Sequence, residues 1–296
     1  MSRMLKIGLF LFLVGIVLVV AVPLTTDNNI FSFNNEENFT HTEEIYDFDQ
    51  FDSFDFDFDN RSVYIYESDD ENIHLSYYLH EKDILEFSDE TNELSISISR
   101  KWYDNFFIFN FGITREYYNV YLYLPATVID STLSVVSSNG QILVDLSNPF
   151  ESVYVKSQNG KLTLNNIVSD SITANTSNGD INMENVSVTN EITGKTFNGA
   201  VNLNLVNAEE IDFTTSNGKI EAINITVQNA DLVSSNGKVY MSMTGIMDDY
   251  KIDLSTSLGD MTLNDLKIAS GVINPSKSNT IELHSSNGDV ELKFLG

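Results

Sequence analysis

The side chains with the most obvious chemical potential lie between Asp47 and Asp59. There Asp and Phe alternate in Asp47-Phe48-Asp49 and again in Asp55-Phe56-Asp57-Phe58-Asp59. Residues two apart on a strand share a face. Such carboxylates would line one side, and several oxygens on one side are what a Ca²⁺ ion takes. The run lacks the glycine-pinned loop of calcium motifs, and its plainer reading is a strand with Phe turned inward. The four histidines, His41, His74, His80 and His284, are scattered, without partners at metal-ligand spacing. No phosphate loop, dinucleotide fingerprint, His-Glu-x-x-His or Gly-x-Ser-x-Gly occurs. The lack of cysteine excludes disulfides, thiolate metal sites, a nucleophilic Cys and a lipid-modified Cys. No catalytic residue, metal or cofactor is assigned, and the chain is read as a non-enzyme. A carbohydrate-active β-helix enzyme is the weakest alternative, because such catalysis needs charged groups gathered on one face and the basic residues here are few and spread out.

With 43 acidic against 16 basic residues, the formal net charge is −27. Phosphate backbones need a basic surface, so nucleic acid is excluded as a partner. The charge suits cationic partners or divalent ions, or simply keeps the chain soluble.

What organises these residues is a period. Asn-Gly recurs at Asn139-Gly140, Asn159-Gly160, Asn178-Gly179, Asn198-Gly199, Asn217-Gly218, Asn236-Gly237 and Asn287-Gly288, with a Leu258-Gly259 variant. The first six glycines are 19 or 20 residues apart, a spacing that marks stacked repeats. Two and four residues after each glycine the side chain is apolar, from Ile142 and Val144 to Val290 and Leu292. Seven and five before it stand mostly apolar residues, such as Leu133 and Val135 or Ile211 and Phe213. A spacing of two marks one buried strand face, so each unit contains two short strands meeting at the Asn-Gly. A third apolar position follows seven after the glycine at Ile167, Val186, Val206, Ile225 and Leu266. Asn and Gly suit a corner because both tolerate positive φ.

A hairpin meander and a β-solenoid both fit, since Asn-Gly is also a strong hairpin signal. The solenoid is the expectation. Every unit carries a Ser or Thr three before its glycine, from Ser137 and Ser157 to Thr256 and Ser285. Stacked coils give identical hydroxyls and asparagines copies above and below to hydrogen-bond. The fold class expected is all-β: a single-stack β-solenoid of 19–20-residue coils with Asn-Gly corners, preceded by an N-terminal transmembrane helix. The long intervals before Gly259 and Gly288 are read as a loop or a degenerate coil. The last strand, Val290 to Phe294, is read as an edge that would invite association if uncovered.

Residues 1–26 are read as a cytoplasmic stub and membrane anchor. Ile7 to Leu24 is apolar, Arg3 and Lys6 precede it, and no charge follows until Asp27. Its length is at the lower edge for a span, and the flanking charges place the N-terminus inside and the rest outside. A cleaved signal peptide is the rival; it too places the remainder outside. Residues 27–60, acidic and without Lys or Arg, are read as an extracellular spacer. Residues 61–296 are the β-domain, with irregular N-terminal coils over 61–130 and the Asn-Gly repeats over 131–296. The aromatic stretch from Trp102 to Tyr123 is a core or an end cap. As a partner-binding surface, its candidates are Trp102, Tyr103, Phe106, Phe107, Tyr117 and Tyr118. The asparagines and glycines of the turns are structural.

From Val63 to the C-terminus the chain resembles the bacterial putative-adhesin family, a domain of unknown function 4097-like group with β-helix-like repeats. The residues that carry the resemblance are Val120-Tyr121-Leu122-Tyr123-Leu124-Pro125 and Val135-Val136-Ser137-Ser138-Asn139-Gly140-Gln141-Ile142. The turns Thr176-Ser177-Asn178-Gly179-Asp180-Ile181 and Ser285-Ser286-Asn287-Gly288-Asp289-Val290 carry it further. The resemblance implies a β-helix-like fold, often with a membrane anchor, and supplies no catalytic residues. The expected function is a membrane-anchored binding or structural module at the cell surface, its partner a surface protein, a glycan or a cationic peptide. An envelope-stress protein whose acidic ectodomain captures cationic peptides is the alternative.

Overall fold

A computed structural model of the chain describes residues 39–47, 51–88, 92–100, 115–269 and 271–295. The apolar segment Ile7 to Leu24 lies outside these residues. Among the described residues no helix is long and apolar enough to cross a membrane.

The fold is all-β, with its strands joined in one sheet system. Successive units pair in parallel at the repeat distance. Val153 pairs with Leu133 and Ile172, Ile192 with Ile172 and Ile211, and Ile211 with Ala230. The second strand of each unit does the same: Leu162 pairs with Ile142 and Ile181, and Ile181 with Val201. A hairpin turn would make the two strands of one unit antiparallel neighbours. Here each strand pairs with its own copy in the next unit, so the Asn-Gly is a corner between two faces of a coil.

The periodic apolar positions converge on one continuous core. Ile142, Val144, Val153, Val155, Leu162, Leu164, Ile211 and Phe213 are all fully buried. Gly194, half-buried, makes room for that core, because the Phe213 ring of the next coil fills the space where its Cβ would be. Ile167, Val186, Val206 and Ile225 are buried as the third apolar position, but Leu266 is 71% exposed. Leu266 lies in an end layer, where no further coil among the described residues covers it.

The chain order and the stacking order part company at both ends. The coil cornered at Gly288 does not follow that of Gly259. Asn279–Ser285 and Val290–Leu295 insert between the coil of Gly237 and that of Gly259, pairing in parallel with both. The last strand is therefore covered on both sides and is not the open edge expected. The long interval is no protruding loop either. Leu266–Lys267 and Gly271–Ile273 pair antiparallel with the Gly259 coil and form a reversed layer beyond it.

The other end repeats the device. Ser53–Phe58 and Ser62–Glu67 insert between the Gly140 coil and the pair Glu93–Arg100 and Asn119–Leu124. Asn72–His80 and Asp83–Ser88 then add a reversed antiparallel layer, and Phe39–Asp47 pairs with the first of them. The acidic stretch thus enters the fold, because Phe54, Phe56 and Phe58 are wholly buried while the intervening Asp55 and Asp57 face outward. A strand that buries three phenylalanines gains several kcal/mol from apolar area alone. Its charge does not prevent this, since alternation turns the carboxylates to the outer face; partial burial still raises the Asp57 pKa, and Asp59 and Asp55 raise it further.

Candidate functional site

Once the register is known, the outward side chains of each coil fall into columns. On the face formed by the strands before each corner, the columns lie six, four and two residues before the glycine. Three adjacent coils supply Tyr154, Lys156 and Gln158, then Thr173, Asn175 and Ser177, then Thr193, Lys195 and Phe197. None of these nine is a carboxylate, in a chain with 43 of them. Lys156 and Lys195 stand on either side of Asn175, two coils apart, or roughly 10 Å at the strand spacing. Both are exposed, and neither forms an ion pair among the described residues, whereas Lys219, Lys238, Lys251, Lys267, Lys277 and Lys293 each do. Phe197 leaves 55% of its surface in water. Together with Tyr154, Asn175, Ser177 and Asn178 these residues line a shallow concavity of about 490 Å³.

The same face turns acidic on both sides of this patch. Towards the N-terminal end it carries Asp55, Asp57 and Asp59. Towards the C-terminal end the column six before the glycine continues Asp212, Asp231, Glu282 and Asp253, one carboxylate per coil. Partial burial raises the pKa of Asp231, and the Asp212 and Glu282 charges raise it further, while His284 opposes them. Partial burial raises Asp212 as well. Lys251 and His284 flank Glu282. Among the described residues no group of three or more His, Asp or Glu side chains is placed to hold a metal ion.

The corners between faces hold the residues singled out from the sequence. Each Ser or Thr hydroxyl accepts the N–H of the glycine three residues on, and each except Ser137 donates to the glycine carbonyl of the neighbouring coil. Thr196 Oγ1 accepts from Gly199 at 3.1 Å and donates to Gly179 O at 2.9 Å. Ser157 does the same between Gly160 and Gly140, at 2.8 and 3.0 Å. Contrary to the expectation from the repeat, the hydroxyls do not bond their own copies; they bond the backbone. The asparagines do form a ladder. Asn178 donates to Asn159, Asn198 to Asn178, Asn217 to Asn198, Asn236 to Asn217, and Asn287 to Asn236, at 2.6–2.8 Å. Asn159 donates to Asn139, and Asn139 to Asn60.

The glycine is also required for a different reason than positive φ. A Cβ on Gly160, Gly179, Gly199 or Gly218 would lie 1.8–1.9 Å from the carbonyl oxygen of the glycine below. In the repeats the left-handed seats are elsewhere, at Asn166, Asn185, Leu205, Asn224 and Asp265, six residues after a glycine, with φ of 54–64°.

Of the aromatic candidates, Trp102, Tyr103, Phe106 and Phe107 lie outside the described residues. Tyr117 and Tyr118 sit in a 3-10 turn, Arg115–Tyr118, at the N-terminal end. Tyr117 stacks on Phe39 and meets Tyr78 edge-on, while Tyr118 meets Phe39 edge-on. Beside them is a buried charge cluster that no motif or spacing in the sequence marks. Arg61 Nη2 reaches Asp83 Oδ2 at 2.6 Å, and Arg100 Nε donates to Asp83 Oδ1 at 2.8 Å. All three side chains are under one-tenth exposed. Arg61 also donates to the carbonyls of Tyr78 and Tyr117. Burial lowers the Arg61 pKa, with Asp83 opposing that and Arg100 adding to it. Arg61 occupies the register position of the glycines: its carbonyl accepts from Ser137, as the glycine carbonyls accept from later hydroxyls.

The family model described as Toastrack DUF4097 matches residues 51–293. Solved structures share the fold at low identity. A putative adhesin from Bacteroides fragilis is 12% identical with a TM-score of 0.51, the match covering 86% of this chain and 97% of that one. A putative lipid binding protein from Parabacteroides distasonis is 12% identical with a TM-score of 0.52, covering 88% and 97%. No curated protein matches the chain.

Proposed function

The chain belongs to the Toastrack DUF4097 family, and from that premise we propose that it is an adhesin-like binding module of the bacterial surface. In this reading Ile7 to Leu24 anchors it in the membrane with the β-domain outside, and the coils form a β-solenoid that displays the binding face. The similar structure from Bacteroides fragilis, named a putative adhesin, supports the class of function. The single observation that carries the choice of face is the carboxylate-free patch with the unpaired Lys156 and Lys195.

The ligand we infer is an extended acidic glycan. Two lysines roughly two strand spacings apart meet successive negative groups on a polymer. The exposed ring of Phe197, with Tyr154 across the patch, offers an apolar face to a sugar ring. At physiological ionic strength charges beyond about 8 Å are largely screened. The local patch can then hold an anion although the chain as a whole is acidic, Asp212 beside Thr193 being the carboxylate of the flanking column nearest to it.

The test titrates the full chain with polygalacturonate and, as a neutral control, with dextran. Polygalacturonate is expected to bind, with affinity falling as salt rises, and dextran is not. Lys156→Gln with Lys195→Gln is expected to weaken binding about tenfold, in line with two modest exposed charge contacts. Equal binding by the double variant would remove this face from consideration. Surface labelling of intact cells checks the topology; a domain reached only after lysis would refute it. The column Asp212, Asp231, Glu282 and Asp253 supports a second reading, capture of cationic peptides. That reading requires binding of a cationic peptide which Asp231→Asn weakens and the lysine variants leave unchanged.

A further inference from the structure

The seven Asn-Gly pairs are chemically hazardous as well as structural. In a flexible chain the backbone nitrogen of the glycine, on losing its proton, attacks the Asn carboxamide carbon. The new C–N bond closes a five-membered succinimide and ammonia leaves. Water then opens the ring to aspartate or isoaspartate. Asn-Gly is the most reactive pair because glycine puts no side chain in the way of the attack.

We propose that the hydroxyl–glycine corner is a device that holds these seven sites inert while the coils are stacked, and that unfolding exposes them to irreversible modification. Two features of each corner block the reaction. The attacking nitrogen is engaged: the N–H of Gly179, Gly199 and Gly218 points into the buried Thr176, Thr196 and Thr215 hydroxyls at 3.1–3.2 Å. The target is engaged as well: the carboxamides of Asn178, Asn198 and Asn217 point outward, each tied to the copies on both sides. Ring closure needs the nitrogen to release the hydroxyl and the carboxamide to leave the ladder and swing over the backbone. The stacked glycine carbonyl, so close that a Cβ would overlap it, holds the backbone against that motion.

The product cannot be restacked. An aspartate loses the Nδ2 donor of the ladder and puts a charge beside its copies at the coil spacing. An isoaspartate adds a methylene to the main chain, which displaces the inward positions two and four residues later. A strand is sensitive to this, since a one-residue shift turns its apolar side outward. An unfolded chain is thus covalently marked in proportion to the time it spends unfolded.

The experiment holds the full chain at mildly alkaline pH, folded in buffer and unfolded in guanidinium chloride, and reads isoaspartate at each site by peptide mapping. Reaction that proceeds only through local opening is slowed by the population of the open state. Asn178, Asn198 and Asn217 are therefore expected to react at least about tenfold more slowly in the folded chain. Equal rates would overturn the proposal. Thr196→Val removes the acceptor for the Gly199 N–H and is expected to speed reaction at Asn198 but not at Asn139 in the same molecule. Thr196→Ser, which keeps the hydroxyl, is expected to restore the slow rate. No change at Asn198, or an equal rise at both sites, would refute the role of the hydroxyl. If Thr196→Val does not fold, Ser234→Ala read at Asn236 against Asn139 makes the same test.

Discussion

Gly199→Ala is expected to destabilise the fold by about 3 kcal/mol or more, the upper part of the range for overpacking. The added Cβ would sit 1.8 Å from the carbonyl oxygen of Gly179 and 2.4 Å from its carbon. Both are main-chain atoms, so no side chain can rotate aside. Relief requires the two coils to move apart. That lengthens the bond from Thr196 Oγ1 to Gly179 O, now 2.9 Å, and the parallel pairing on both faces of the coil. The control is the preceding residue. Asn198→Ala removes only exposed ladder bonds, which are worth about 1 kcal/mol or less in net terms. Guanidinium unfolding of both variants measures the difference. A Gly199→Ala cost no larger than that of Asn198→Ala would show that the coils yield locally and that the glycine column is not what sets the stacking distance.

The repeat, the inward positions and the corner were legible in the sequence because stacking imposes the same demand on every coil, and identical demands leave a periodic trace. The reason for the glycine was not. Asn-Gly is most familiar as a turn with positive φ, and the constraint that acts here comes from a carbonyl about 20 residues earlier, which no local pattern reveals. The true left-handed seats carry Asn at Asn166, Asn185 and Asn224 but Leu at Leu205 and Asp at Asp265, so two members of the series hide the rule. The insertion of the Gly288 coil was unreadable for a related reason. Every coil presents the same ladder edge and the same glycine carbonyl. Ser285 bonds Gly237 O, and Thr256 bonds Gly288 O, just as any other coil would. The intervals of 22 and 29 residues marked where the order breaks but not how. The candidate binding face emerged only when offsets six, four and two before the glycine were aligned, since its emptiness of carboxylates is a property of columns and not of any segment.

Asp83→Asn is the second large effect expected, about 3–5 kcal/mol, because it leaves the charges of Arg61 and Arg100 buried without an anion. Asp83 accepts from both guanidinium groups and also from the backbone N–H of His80 at 2.9 Å. An amide can keep one acceptor but not the charge, and its NH₂ would face a donor. The loss should stay local. In a stacked-repeat fold each coil touches only its neighbours, so stability is a sum of coil and interface terms and not a single global quantity. Arg61, Arg100 and Asp83 belong to the three successive layers stacked beyond the Gly140 coil at the N-terminal end. Hydrogen exchange is therefore expected to show faster exchange in Asn72–His80, Asp83–Ser88 and Glu93–Arg100. Protection of Ile181–Thr196 and Val201–Thr215, several coils away, is expected to persist. Simultaneous loss of protection in both regions would mean that the coils unfold as one unit. The buried cluster would then be an anchor for the whole stack, and the nearest-neighbour account of its end layers would be wrong.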